Sequence, residues 1–183
     1  MVFRRSTRAA SIVFDQMDYK NMPKIIDRDA HKKELAERAA VFFSKHGYAG
    51  VGMRGIADHL GVSKSALYHY FPTKEALFLA CTETIMGRIG EIDVDDGATE
   101  EAKLEALVRS MKSDFGAEMS LVFDYLRGKT AQEIADDKAM QISLSTFLGT
   151  VERIVGAERA VETLERVMGR LLVDYMSGGS IGS

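Results

Sequence analysis

Apolar and polar positions along the chain follow a helical period from Asp29 onward. Leu35, Ala39, Phe42, Phe43 and His46 fall at i, i+4, i+7, i+8 and i+11, which is one face of a first helix. Gly47 is expected to end it in a left-handed conformation, with Tyr48 folding back on Phe43 as in a Schellman ending. Met53, Ile56, Ala57 and Leu60 predict a second helix, with Arg54, Asp58 and His59 on its outer side and Gly61 closing it. Val62 and Ser63 make the connection, and Ser63 is suited to cap a third helix from Lys64 to Phe71. Two helices joined by a three-residue turn that opens on Gly describe a helix-turn-helix. In the third helix Leu67, Tyr70 and Phe71 share a face, while Lys64, Ser65, Tyr68 and His69 stand opposite. Those four side chains all donate hydrogen bonds and would be costly inside a core, so they are expected to face outward together. Pro72 stops this helix, and Thr73 caps a fourth that runs from Lys74 toward Arg88.

Beyond Gly90 the acidic stretch EIDVDDGAT reads as a loop. Helical spacing resumes over 100–115 (Leu104, Leu107, Val108, Met111, Phe115) and 118–126 (Met119, Val122, Phe123, Leu126), punctuated by Gly116 and Gly128. A long helix is predicted over 131–155 and a last one over 157–176, the latter carrying Val161, Leu164, Met168, Leu171, Leu172 and Tyr175. No useful length of strand alternation and no internal repeat is visible, so the fold class is all-α. Residues 1–28 show no sustained period and read as a flexible extension, and 178–183 as a flexible tail.

Composition narrows the function classes. The 183 residues suffice for one generous domain or two small ones, and 46% apolar with 28% charged residues describes an ordinary globular chain. No apolar run approaches the length of a bilayer span, so a soluble protein is expected. Cys81 is the only cysteine, which excludes an internal disulfide and suits a reducing, cytoplasmic compartment. The net charge of -3 is unevenly spread: residues 1–80 carry 13 Lys and Arg against 8 Asp and Glu, residues 81–183 carry 11 against 19. A basic front and an acidic back suggest that only the front meets a polyanion. All four histidines lie in the front half, yet none forms a zinc-binding pair at helical spacing, and no nucleophile motif or phosphate-binding Gly loop occurs. Neither catalysis nor a cofactor is expected. A redox role for Cys81 would require a depressed thiol pKa.

The polar face of the third helix fits a recognition helix for the DNA major groove, and Arg54 and Lys74, each near a helix start, are placed for phosphates. The predicted DNA-contacting set is Arg54, Ser63, Lys64, Ser65, Ala66, Tyr68, His69, Tyr70 and Lys74. The stretch GYAGVGMRGIADHLGVSKSALYHYFPTKEALF, Gly47 to Phe78, resembles the DNA-binding domain of the TetR family of transcriptional regulators. The likeness rests on the Gly47-Tyr48 pair, Ile56-Ala57, the Gly61-Val62-Ser63 turn, Leu67-Tyr68 with Tyr70-Phe71, and Lys74-Glu75 with Leu77. Two positions depart from it: Gly52 stands where a Thr or Ser usually caps the second helix, and Gly55 where a charged residue is usual.

This resemblance implies a helix-turn-helix domain over 29–75 and a helical ligand-binding and dimerisation domain over 76–177. It further implies a ligand-responsive repressor that binds a near-palindromic operator as a homodimer, with a small-molecule inducer and without enzymatic activity. The last two helices would pair with their copies through Leu144, Phe147, Leu148, Val151, Leu164, Met168, Leu171, Leu172 and Tyr175. A ligand pocket could be lined by Phe78, Met86, Met111, Phe115, Met119, Phe123, Tyr125, Met140 and Phe147, although a short C-terminal part argues against a large one. The rival reading is a helical small-molecule-binding or oligomeric scaffold whose helix-turn-helix no longer reads DNA.

Overall fold

A computed structural model describes residues 27–90 and 97–178. Among them lie nine helices and no strand: α1 (Arg28–His46), α2 (Met53–Leu60), α3 (Lys64–Tyr70), α4 (Lys74–Gly90), α5 (Glu100–Lys112), α6 (Phe115–Leu126), α7 (Ala131–Ala135), α8 (Lys138–Val155) and α9 (Ala157–Met176). The expected extension falls outside the described residues up to position 26. Asp27, the next residue, is ordered as the cap of α1, its carboxylate accepting from the amides of Asp29 and Ala30. Of the expected tail, 179–183 are likewise outside the described residues.

Three apolar clusters hold the chain together. The first unites α1, α2, α3 and the first half of α4 around Leu35, Phe43, Ile56, Leu67, Phe71 and Leu77, and reaches Tyr125 of α6 and Ala139 of α8. A second joins α5, α8 and α9 through Leu107, Val151 and Leu164, and a third seats Phe115 of α6 against Val167 and Leu171 of α9. The long α4 belongs to both halves, packing on α1 at one flank and on α8 at the other. Gly156 alone separates α8 from α9, and its φ of 83° lets α9 double back along α8.

Several boundaries differ from the sequence expectation, each for a local reason. Gly47 has φ 75° but ψ 167°, so it turns the chain without a Schellman ending; Tyr48 nevertheless stacks on Phe43 at 5.7 Å. The Schellman pattern occurs instead at Gly61 (φ 71°, ψ 27°), where Val62 N–H donates to Ala57 O at 3.1 Å and Gly61 N–H to Asp58 O at 3.3 Å. The helix predicted over 131–155 is two helices, because Asp137 turns its carboxylate onto the amides of Ala139 and Met140 and starts α8 afresh. Thr130 and Glu133 form a reciprocal capping box at the start of α7. Gly116 does not punctuate: α5 ends at Lys112, and Gly116 is the second residue of α6. Its lack of a side chain serves packing, since a Cβ there would stand 2.5 Å from Tyr175 Cε2.

Candidate nucleic-acid interface

The helix-turn-helix is fixed from beneath and from its ends. Leu67 and Phe71 are buried in the first cluster, which leaves α3 one orientation. Ser63 Oγ accepts from Ala66 N–H at 3.1 Å and starts the helix at Lys64. Arg38 reaches from α1 to donate to Leu60 O at 2.7 Å, satisfying a carbonyl at the end of α2. The consequence is that Lys64, Ser65, Tyr68 and His69 all face solvent on one side of α3. Lys64 Nζ sits 5.6 Å from the Tyr68 ring centre, and His69 Nε2 lies 3.0 Å from Arg28 Nη2 of α1. Arg54 is exposed in the first turn of α2, whose cap, Gly52, supplies no side-chain bond. Ser63 is also exposed, Ala66 is half-buried, and Tyr70 is half-buried edge-on to His31 of α1 at 5.5 Å.

Lys74 occupies a more constrained place than a surface cation. Its ammonium donates to Tyr48 O at 3.0 Å and Val51 O at 3.1 Å and lies 4.1 Å from the Tyr48 ring centre. Two of its three donors therefore serve the loop between α1 and α2. Tyr48 anchors the same loop from within: its hydroxyl donates to Glu75 Oε1 at 2.8 Å, and its ring meets Phe78 and Tyr125 edge-on. Burial, reinforced by the Glu75 carboxylate, holds that hydroxyl far above its ordinary pKa. The backbone amide of Glu75 and the Tyr48 hydroxyl hold the carboxyl below its own. From α6, Asp124 Oδ2 accepts from Ala49 N–H at 2.6 Å. This grip reaches the first domain across 75 residues of sequence, and no periodicity could have announced it.

The same α6 walls a half-open cavity of about 690 Å³ bounded also by α1, α4 and α8. That volume is within the ordinary range for small-molecule sites, in spite of the short C-terminal part. Of the residues predicted to line it, Phe78, Met86, Met119, Met140 and Phe147 do. Tyr125 instead stacks on Phe78 at 4.1 Å and donates to Asp137 at 2.6 Å, and Phe123 points to solvent. Phe115 is enclosed by Val167 and Leu171, with Met111 packed alongside. The sequence reading missed the wall supplied by α1, Val41 and Phe43 among others, and the contribution of Ile85, Glu118 and Leu144. Burial, and then the neighbouring Asp114 charge, raises the Glu118 carboxyl above its usual value. Arg88 is matched at the rim by Glu37 at 2.6 Å. Cys81 also borders the cavity; burial pushes its thiol up to about 12, the opposite of a redox-active cysteine.

The residues predicted for a dimer interface divide in two. Val151, Leu164 and Leu171 are buried within the chain itself. Phe147, Leu148 and Met168 are half-buried against the second cluster. Leu144, Leu172 and Tyr175 are exposed, and Val161, Val173 and Met176, absent from the prediction, are exposed with them.

Comparison with known proteins agrees with this geometry. The profile described as "Bacterial regulatory proteins, tetR family" matches residues 34–81, which run from α1 into α4. The HTH-type transcriptional repressor AcnR of Corynebacterium diphtheriae is 26% identical over 157 residues, covering 81% of this chain and 82% of the relative. The HTH-type transcriptional regulator RutR of Escherichia coli is 42% identical over 57 residues, 31% of this chain and 27% of its own length. Among solved structures, the transcriptional regulator FadR of Bacillus subtilis, in complex with stearoyl-CoA, superposes with a TM-score of 0.59 at 19% identity, covering 80% of this chain and 88% of that one.

Proposed function

Since this chain belongs to the TetR family of bacterial transcriptional regulators, we propose that it is a ligand-responsive repressor that reads a near-palindromic operator as a homodimer. The observation that carries this reading is the outward face of α3, where Lys64, Ser65, Tyr68 and His69 stand together while Leu67 and Phe71 are clamped beneath. A short helix presented in this way can enter the major groove, with Tyr68 and His69 at base edges and Ser65 and Ala66 alongside. Arg54, Ser63, Lys64 and the remaining donor of Lys74 would meet phosphates, and Tyr70 would brace the end of the helix. The work would be done where the DNA is, in the cytoplasm.

The regulatory half of the proposal rests on α6. It lines the cavity with Met119 and Leu121 and grips the loop before α2 with Asp124. A small apolar molecule in the cavity would bias the operator-binding shape only by favouring one position of α6 over another, because equal affinity for both shifts nothing. The exposed apolar residues of α8 and α9 would supply the dimer.

The test is salt-dependent binding to duplexes selected from a random pool. Replacing Lys64 by Ala should reduce the slope of log K against log salt by about one ion per half-site. Unchanged binding at every salt concentration would favour a scaffold that no longer reads DNA.

A further inference from the structure

One contact on the recognition face comes from outside the helix-turn-helix. Arg28, in the first turn of α1, brings Nη2 to 3.0 Å from Nε2 of His69, 41 residues away, and both side chains are exposed. A guanidinium offers five N–H donors and no lone pair, and it does not deprotonate in proteins. Only an unprotonated Nε2 can complete this bond. A neutral imidazole that accepts at Nε2 must carry its proton on Nδ1. The free ring prefers the other arrangement, so Arg28 selects the minor tautomer. The ring is further oriented by Tyr70, edge-on at 5.6 Å, which is itself braced by His31. Glu34 pairs with His31 at 3.5 Å and with Arg38 at 3.6 Å.

We propose that Arg28 is a positioning residue that sets base specificity by locking His69 as an Nδ1–H donor. This rests on the reading of α3 as the base-reading helix. The base edge that such a ring accepts is an acceptor: guanine N7 or O6, adenine N7 or thymine O4. The amino groups of cytosine and adenine present a donor to a donor and are refused. Arg28 thereby adds a determinant of specificity without touching a base.

The tautomer is directly observable in the full-length protein labelled with ¹⁵N-histidine. At about pH 8, above the ordinary imidazole range, the ring nitrogen shifts of His69, assigned by loss of its signals in His69→Gln, should show Nδ1 protonated. In Arg28→Ala they should move toward the Nε2–H pattern. A wild-type ring protonated on Nε2, or shifts that Arg28→Ala leaves in place, overturns the proposal. Selection from a random duplex pool supplies the functional arm. Arg28→Ala should lose about tenfold preference at one symmetry-related pair of operator positions, the same pair that His69→Ala relaxes. If Arg28→Ala weakens binding equally across all duplexes with every preference intact, Arg28 is a phosphate contact and the specificity role fails. If His69→Ala leaves the selected sequence unchanged, the assignment of His69 to base reading is what fails, independently of the tautomer result.

Discussion

Glu118 stands exposed at the mouth of the cavity, with its carboxyl against an apolar wall. Its carboxyl borders an apolar cavity beside Asp114, and burial favours the neutral form. An acid whose pKa is raised by folding binds its proton more tightly in the native state. Its contribution is therefore complete at acidic pH and is lost as pH rises through the ordinary carboxylate range toward the raised value. Glu118→Gln removes the ionisation, and because the side chain is exposed to solvent the rise in Tm at pH 7 should be small, with none near pH 4, as thermal melts across that range would show. Lys74 is the converse case, a cation whose main bonds are internal. Its place in the sequence suggested a phosphate contact, whereas its ammonium chiefly ties the carbonyls of Tyr48 and Val51 to α4.

At the scale of elements, short polar side chains decide where helices begin. Asp137 divides what periodicity reads as one helix. Its carboxylate also accepts from Tyr125 and Lys129, the latter at 2.5 Å. Burial by itself would raise this carboxyl, but those bonds outweigh it and hold it below its ordinary value, so its contribution is lost as pH falls. Asp124 links elements rather than starting one. Gly47 leaves room for it, since a Cβ there would lie 3.0 Å from Asp124 Oδ2. Asp124→Ala should cost about 1–2 kcal/mol in urea unfolding, the value of a hydrogen bond to a charged acceptor less the effect of solvent. It should also speed amide exchange at Ala49 while sparing the amides of α3. Equal acceleration in both places would mean that the grip does not act locally on the loop.

Half of the exposed large apolar side chains among the described residues lie on α9. Val161, Leu172 and Met176 fall along one stripe of α9 with Gly169 between them, and Met176 is 77% exposed. Leu172→Arg should shift a dimer to monomer in sedimentation with little loss of thermal stability within the protomer, because Leu172 packs into none of the three clusters. A dimer that survives this change would place the interface elsewhere. Residues 27–80 carry 8 Lys and Arg against 6 Asp and Glu while the later part of the chain is acidic, a division that suits nucleic-acid contact through the first domain.

Much of the first domain was legible because its determinants are local. The period of Met53 to Leu60, the cap at Ser63, the stop at Pro72 and the polar face of α3 all act within a few residues, and the structure reproduces them. The all-helical class and the limits of α9 were legible for the same reason. Periodicity identifies an apolar face but carries no information about its neighbour. It could not say whether Val151 and Leu171 meet their own chain or a copy, nor which of the Met and Phe side chains open onto a cavity. Those answers, with the reach of Asp124 to Ala49 and of Arg28 to His69, came from packing between segments far apart in sequence, where distance in space rather than spacing along the chain fixes each partner.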